Sequence, residues 1–375
     1  MTDYKKPIFK AAAVQAAPVL RDEPTYLDLQ ATLEKACHLI VQAGANGAKL
    51  IVFPEGFLPT HPYWSVNAAQ PHDWTVLWKE FVNNSVEVPS AETEAICRAA
   101  KEANAYVVIG ICERDKNYAC RLYNAALFIS PLEGVIGVHR KISPTLWELL
   151  YHTRGDGGEN IKAFKTELGM IGSLICGEHI QFPLVHNMIV QGEEINCSLW
   201  PGSRKWSLDT EIQVMTRAVC LAGAMFAISA CVCIPENMRP TKFYPNACID
   251  RTGGSSIIDP MGDYIAGPVY DVETIVYGDI DLGAIALSKS IHNLTGIYSR
   301  WDLFSLATRQ KPYHPIVPLD YSETLDSQRQ PDNAEGLEER VIALEEHIKT
   351  IRDELNRSKS KRRKKNDPMN RVGHK

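Results

Sequence analysis

Positive charge is not in excess in this chain: 40 Lys and Arg face 45 Asp and Glu, a formal net charge of -5. Nothing in that balance calls for a polyanion, so nucleic-acid binding is not expected. Disulfide-scaffold spacing is also missing. The 10 cysteines fall singly within apolar segments, among them Cys37, Cys97, Cys112, Cys197 and Cys220, which reads as a reducing, cytoplasmic setting. No complete metal-ligand set stands out, because Cys231-x-Cys233 lacks a second pair or a nearby His at ligand spacing; no metal or other cofactor is expected. Met1 to Lys10 is charged and has no apolar core of the secretory type. The stretch Ala218 to Pro235 carries no charge and approaches the length of a membrane span, yet Gly223, Ser229 and the Cys231/Cys233 alternation divide it into a helix end and a buried strand. A soluble protein with no membrane partner is the expectation.

What is present is material for a large core, with 45% apolar and 23% charged residues over 375. One α/β domain of about 300 residues with a tail fits that length. Ala11 to Gln15 reads as a first strand, and Leu29, Leu33, Ala36, Cys37, Ile40 and Ala43 then recur at helical spacing before Gly44 and Gly47. The rhythm continues with a helix over 91–103 and strands over 106–110, 124–129, 170–176 and 197–200. A helix through Val214, Val219 and Leu221 and strands over 226–233, 255–258 and 274–280 complete it. Alternation of this kind predicts a sheet covered by helices. Segments 59–74 and 235–246, rich in Pro, Asn and aromatic residues, read as loops rimming a pocket, with Tyr63, Trp64 and Phe243 as its aromatic lining.

Three predicted strand ends carry chemistry. Lys49 to Phe53 leads to Pro54-Glu55-Gly56, a carboxylate at a strand end. The stretch 134–140 leads to Lys141 and, across a proline turn, to Glu148. Met170 to Ile175 delivers Cys176 into Gly177-Glu178-His179. Taken singly, each has a plain reading: a small core cysteine, or a solvated loop charge. Together they place a base, a cation and a nucleophile on three strand ends, and the amides opening the next helix are expected to favour the Cys176 thiolate.

With Tyr123-Asn124-Ala125-Ala126, Pro144-Thr145-x-x-Glu148, Gly155-Asp156-Gly157 and Ser198-Leu199-Trp200-Pro201-Gly202, in that order over about residues 8 to 310, the chain resembles the nitrilase superfamily of carbon-nitrogen hydrolases. The Trp200-Pro201 pair favours the true nitrilase branch. The resemblance implies a four-layer α-β-β-α sandwich and hydrolysis of an organic nitrile to a carboxylic acid and ammonia. It also implies roles. Cys176 is the nucleophile and Glu55 the general base. Lys141, with the Gly177 amide, stabilises charge developing on nitrogen. Glu148 is a second active-site carboxylate. His179 and Trp200 fall on the substrate-binding side, where the rim reading also puts Tyr63 and Trp64. An amidase, carbamoylase or cyanide-converting enzyme of the same superfamily is the alternative, as is a non-catalytic scaffold of the same fold. Ile297 and Trp301 depart from the family's usual Gly-His-Tyr-Ser-Arg-Pro-Asp segment, and His179 stands where many nitrilases have Asn. These departures leave the substrate's side group open among aromatic, arylaliphatic, aliphatic and cyanide.

The expected organisation is a catalytic domain over 8–319, a linker over 320–336, an amphipathic helix over 337–357 and a basic disordered tail over 358–375. In the helix, Leu337, Val341, Leu344, Ile348, Ile351 and Leu355 alternate at spacings of four and three. The stripe suits a parallel dimeric coiled coil, or equally an amphipathic helix packed on its own domain. Self-association, as a dimer or a larger spiral filament, is expected from both the stripe and the resemblance. The run Lys359 to Lys365 reads as a solvated cation block, with nuclear targeting or phosphate binding as the alternative.

Overall fold

The computed structural model describes residues 6–22, 26–66, 71–157, 160–204, 208–240, 251–308 and 349. The chain divides into two compact units, Met1–Tyr313 and His314–Lys375. Of the second, only Lys349 is described, helical and exposed, so the linker, the heptad stripe and the cation block lie outside the described residues.

The strands are β1 (Ile8–Gln15), β2 (Ala48–Val52), β3 (Tyr106–Arg114), β4 (Leu122–Ser130), β5 (Gly134–Arg140), β6 (Phe164–Thr166), β7 (Gly169–Ile175), β8 (Ile195–Trp200), β9 (Phe226–Cys231), β10 (Gly253–Ile258), β11 (Tyr264–Tyr270) and β12 (Thr274–Asp281). They form two six-stranded sheets, ordered β12-β1-β2-β3-β4-β5 and β11-β10-β9-β8-β7-β6. Each has a parallel centre, β1-β2-β3 in one and β7-β8-β9 in the other, flanked by antiparallel strands. Ala13, Val52, Val108 and Ala126 of the first sheet share one buried core with Ile175, Leu199, Ile228 and Ile257 of the second. Gln15 ties the sheets across that core: its Oε1 accepts from the amides of Gly254 (3.0 Å) and Ser255 (2.9 Å).

The outer face of the first sheet carries α1 (Leu29–Ala45) and, after α2 (Pro71–Asn84), α3 (Ala91–Ala103). Asp28 caps α1 by accepting from the Ala31 amide at 2.9 Å, and a Ser90/Thr93 capping box starts α3. A Cβ on Gly44 would stand 2.5 Å from Ala103 Cβ, so the glycine lets the two helices meet. The second sheet is covered by α4 (Phe182–Val190) and α5 (Leu208–Gly223), whose Leu184, Met188, Ile189 and Val219 pack with Leu174; α6 (Ala284–Ile291) follows β12. The result is the helix-sheet-sheet-helix sandwich implied by the family resemblance. The uncharged stretch 218–235 is the end of α5 followed by β9, and among the described residues no helix is long and apolar enough to cross a membrane.

One expectation is corrected. Segment 59–74 is not loop throughout: residues Tyr63–Val66 form a short 3-10 helix and α2 begins at Pro71. Trp74, Leu77, Trp78 and Phe81 are a helical stripe, with the proline at the helix start where its missing N–H costs nothing. In the other segment, Glu236–Met238 is a 3-10 turn and Phe243 lies outside the described residues.

Candidate active site

Glu55 follows β2, and its turn is pressed onto β3. A Cβ on Gly110 would stand 2.1 Å from Pro54 O and 2.6 Å from Gly56 N, so only glycine allows this approach. Gly56 itself has φ +57. Lys141 follows β5, its backbone held by Lys141 N donating to Asn124 O (2.7 Å) and Gly155 N donating to Lys141 O (2.8 Å). The ammonium, buried, donates to Glu55 Oε1 at 2.7 Å and to Glu148 Oε2 at 2.6 Å. Glu148 sits in the 3-10 turn Leu146–Leu150, where its Oε2 also accepts from the Thr145 amide at 2.7 Å. Asn124 bridges the two acids, its Nδ2 donating to Glu55 Oε1 and Glu148 Oε1, both at 2.7 Å.

These contacts fix the charges. Burial alone would lower the Lys141 pKa, but Glu148 and then Glu55 raise it well above the ordinary lysine value. Burial opposes ionisation of Glu148 as well; the Lys141 charge, then hydrogen bonds from His152 and His61, hold it well below the ordinary carboxylate range. Glu55 differs from Glu148 in one respect. Its Oε1 takes two hydrogen bonds, while the buried Oε2 has no hydrogen-bond partner. That leaves one carboxylate oxygen with lone pairs to receive a proton.

Cys176 opens the 3-10 turn Cys176–Ile180 directly after β7, with φ +51. A non-glycine residue held there stores about 1–2 kcal/mol, which the surrounding bonds must offset. Glu178 supplies them. Its Oε2 accepts from the Ile175 amide (2.9 Å) and from His139 Nε2 (2.8 Å), and its Oε1 accepts from the Ile142 amide (2.6 Å). One buried carboxylate thus locks the cysteine turn to the lysine turn. His139 Nδ1 donates to Asn160 O at 2.8 Å, and although burial opposes both charges, Glu178 raises the His139 pKa and His139 lowers that of Glu178, so Nε2 carries a proton as well and the pair is ionised.

The Cys176 thiol is not the resting thiolate expected of a helix-opening cysteine. Burial, then the Glu55 charge, push its pKa up; Lys141 and the Gly177 amide act against this but do not win. The helix that follows is a single 3-10 turn, too short for a strong dipole, and the pocket is net anionic. The thiol keeps its proton until a base removes it.

Residues flagged in the sequence fall into two groups. Glu55, Lys141, Glu148, Cys176 and Gly177 converge. His179 and Trp200 stand behind the cysteine turn instead of offering polar atoms to a substrate. The imidazole binds Cys176 O through Nδ1 (2.8 Å) and Ser198 Oγ through Nε2 (3.0 Å), and stacks on Trp200 at 4.5 Å. The Trp200 Nε1 donates to Thr216. Tyr63 stacks on His61 (5.0 Å), and Trp64 is enclosed by Phe81 and Tyr151. The sequence reading missed His61, whose Nε2 lies 3.3 Å from Glu148 Oε1 and 3.9 Å from Glu55 Oε1, and it missed Asn124 as a bridging group. No spacing signals His61; a histidine six residues after a strand-end glutamate was the available cue.

Glu55, His61 and Glu148 bring ligand-type atoms within 4.8 Å of one another. The Lys141 ammonium already bridges the two carboxylates, so a metal ion would have to displace a buried cation. A second thiol, Cys112, lies 3.4 Å from His152 Nε2, with His152 Nδ1 3.7 Å from Glu148 Oε1. Burial lifts this thiol to about 12 and lowers the His152 pKa, giving a neutral pair within the hydrophobic cluster of Phe81, Leu122 and Tyr151. Cys112 buttresses His152; the charges of Glu55, Lys141 and Glu148 act on Cys176.

The chain matches the carbon-nitrogen hydrolase family over residues 10–290. It is 33% identical over 336 residues to a bifunctional nitrilase/nitrile hydratase of Lupinus angustifolius, covering 85% of this chain and 91% of that one. It is 35% identical over 323 residues to an aliphatic nitrilase of Sinorhizobium fredii, covering 82% and 98%. Among solved structures it resembles the C. elegans NitFhit protein with a TM-score of 0.63 at 16% identity, over 83% of this chain and 69% of that one, a likeness of fold alone. With a family match across both sheets and relatives that align along nearly their whole length, this chain belongs to the carbon-nitrogen hydrolase family.

Proposed function

We propose that the protein is a nitrilase, converting an organic nitrile and two waters to a carboxylic acid and ammonia through Cys176. The supporting observation is the buried Glu55–Lys141–Glu148 cluster, whose charges act on the Cys176 thiol and whose Glu55 Oε2 has no hydrogen-bond partner. The curated relatives named as nitrilases support nitrile over amide as substrate class.

Glu55 takes the thiol proton as sulfur adds to the nitrile carbon, and the charge arriving on nitrogen is met by Lys141 and the Gly177 amide. Glu55 passes the thiol proton to that nitrogen, which gives a thioimidate and frees the carboxylate again. A water deprotonated by Glu55 adds to it, forming a tetrahedral carbon that bears sulfur, oxygen and nitrogen. Loss of ammonia leaves a thioester, and a second water releases acid and thiol. If sulfur leaves the tetrahedral carbon first, the product is an amide. Glu148 keeps Lys141 charged and fixed, while Tyr63 and Trp64 give the pocket an aromatic side. A reducing, cytoplasmic setting and self-association belong to the same reading; the described cysteines are all free thiols.

A panel of nitriles, with the matching amides and carbamoyl amines, tests the proposal by ammonia release and product identity. Cys176→Ala is expected to remove turnover and the substrate adduct seen by intact-mass spectrometry, with the fold retained. Cys112→Ala is expected to keep both. The reverse pattern would transfer the nucleophile to the Cys112–His152 pair.

A further inference from the structure

Behind the cysteine turn a file of buried polar side chains runs from Cys176 O to a carboxyl group the chemistry does not use. His179 Nδ1 lies 2.8 Å from Cys176 O and its Nε2 3.0 Å from Ser198 Oγ. Ser198 Oγ lies 2.6 Å from Asn196 Oδ1, and Asn196 Nδ2 lies 3.0 Å from Glu193 Oε1. All four side chains are buried. A Cβ on Gly172 would stand 2.2 Å from Glu193 Oε1, so the carboxyl rests on β7, the strand that delivers Cys176.

Counting protons along this file leaves few arrangements. A carbonyl oxygen only accepts, so His179 Nδ1 carries a hydrogen. If Nε2 carries none, Ser198 must donate to it, Asn196 must donate to Ser198 through its NH2, and the Asn196 oxygen must face Glu193. In the structure Asn196 Oδ1 faces Ser198 and Nδ2 faces Glu193, so this arrangement turns the amide end for end, which its nearly isosteric ends permit. An ionised Glu193 would then oppose oxygen to oxygen at 3.0 Å, and the file breaks. If Nε2 does carry a hydrogen, every bond beyond it reverses while Nδ1 still donates to Cys176 O, Glu193 accepts as a carboxylate, and the protein buries an imidazolium and a carboxylate separated by two side chains. The file therefore holds one proton, at one end or the other. Separating two charges in a dry interior is the costlier choice.

We infer that Glu193 is a neutral carboxylic acid whose proton starts a one-way hydrogen-bond file, Glu193 to Asn196 to Ser198 to His179 to Cys176 O, making Glu193 a positioning residue for the cysteine turn. Its surroundings agree. Burial raises Glu193 to about 8, while an Asn196 NH2 donating to the carboxylate and then the more distant His139 charge, already paired with Glu178, lower it less; with the amide turned, the first of these is lost. Burial likewise takes His179 down to about 4, opposed by Cys176 O, Glu178 and the Asn196 side chain and reinforced by Lys141. The other titratable groups in the field of Glu193, Cys197 on β8 and Cys220 on α5, are thiols whose pKa values it helps to raise.

The inference rests on Cys176 being the nucleophile only for its effect on rate, so it is read first without substrate. At pH 7 the wild type should show the infrared carbonyl stretch of a protonated carboxylic acid that Glu193→Gln lacks, and nitrogen NMR should show His179 neutral with its hydrogen on Nδ1. A doubly protonated His179, or no difference band, places the proton at the other end and overturns the proposal. For the positioning role, Ser198→Ala should lower kcat roughly tenfold with KM little changed, the cost of one broken internal hydrogen bond. Glu193→Gln, whose amide donates as the acid does and cannot ionise, should keep the rate at pH 7 and lose a fall in kcat above about pH 8. A folded Ser198→Ala with unchanged kcat, or an identical alkaline limb in Glu193→Gln, would refute it. Failure to turn over nitriles with both spectra as expected would count against the nitrilase reading alone.

Discussion

Glu55 and Cys176 oppose each other electrostatically at rest: the Glu55 charge is, after burial, the largest cause raising the thiol pKa. This separates a base from a bystander. In Glu55→Gln the thiol loses that upward push, so alkylation of Cys176 should move to lower pH even as turnover falls by about two to four powers of ten. Inactivation by iodoacetamide across pH, with the modified residue mapped by peptide mass, measures the first quantity, and ammonia release measures the second. A result in which reactivity toward alkylation and turnover fall together would instead mean that glutamine had distorted the site. Lys141→Ala should act in the opposite sense on the thiol, since the ammonium lowers it. That variant also leaves Glu55 and Glu148 buried without their cation, at a cost of about 3–5 kcal/mol.

Elements place these side chains through contacts that a linear reading registers unevenly. The strand ends carrying Glu55, Lys141 and Cys176 were legible because long apolar runs stop at polar turns there. α2 was not, because its stripe is made of Trp74, Trp78 and Phe81, aromatic residues that also suit a pocket rim. Gly110 and Asn124 were silent as site residues, since each acts across the sheet on a partner dozens of positions away. Gly110→Ala therefore tests the element scale. Its methyl group would meet the Pro54 and Gly56 backbone, and the shift of Glu55 should cost at least tenfold in kcat and about 1–3 kcal/mol in stability. Chemical denaturation and turnover on one preparation check both.

Glu178 joins two elements and carries a pH signature. Its carboxyl is lowered from the ordinary 4.5, burial being outweighed by His139 and the Ile142 and Ile175 amides. His139 is raised from 6.5, with burial outweighed by Glu178. The carboxylate's contribution is complete above 4.5 and is lost as pH falls through its depressed value; the imidazolium's is complete below 6.5 and is lost as pH rises through its elevated value. Glu178→Gln should therefore lower the melting temperature most between about pH 4.5 and 6.5 and less on either side. A difference in melting temperature that is flat with pH would mean that Glu178 acts only through the hydrogen bonds it accepts from the Ile142 and Ile175 amides.

For the molecule as a whole, the catalytic cluster lies within the unit Met1–Tyr313, while the six apolar positions Leu337, Val341, Leu344, Ile348, Ile351 and Leu355 lie beyond it. Lys349, helical and exposed, belongs to the polar side of that stripe. A stripe of alternating four and three spacing buries its side chains either against another copy or against its own chain, and the two outcomes separate on truncation. Removing residues from Ser322 onward should reduce particle mass by light scattering and leave nitrile turnover intact, because Glu55, Lys141, Glu148 and Cys176 keep all their described partners. Unchanged mass with unchanged turnover would assign the stripe to packing within one chain. Turnover lost at unchanged mass would show that the tail helps to shape the pocket.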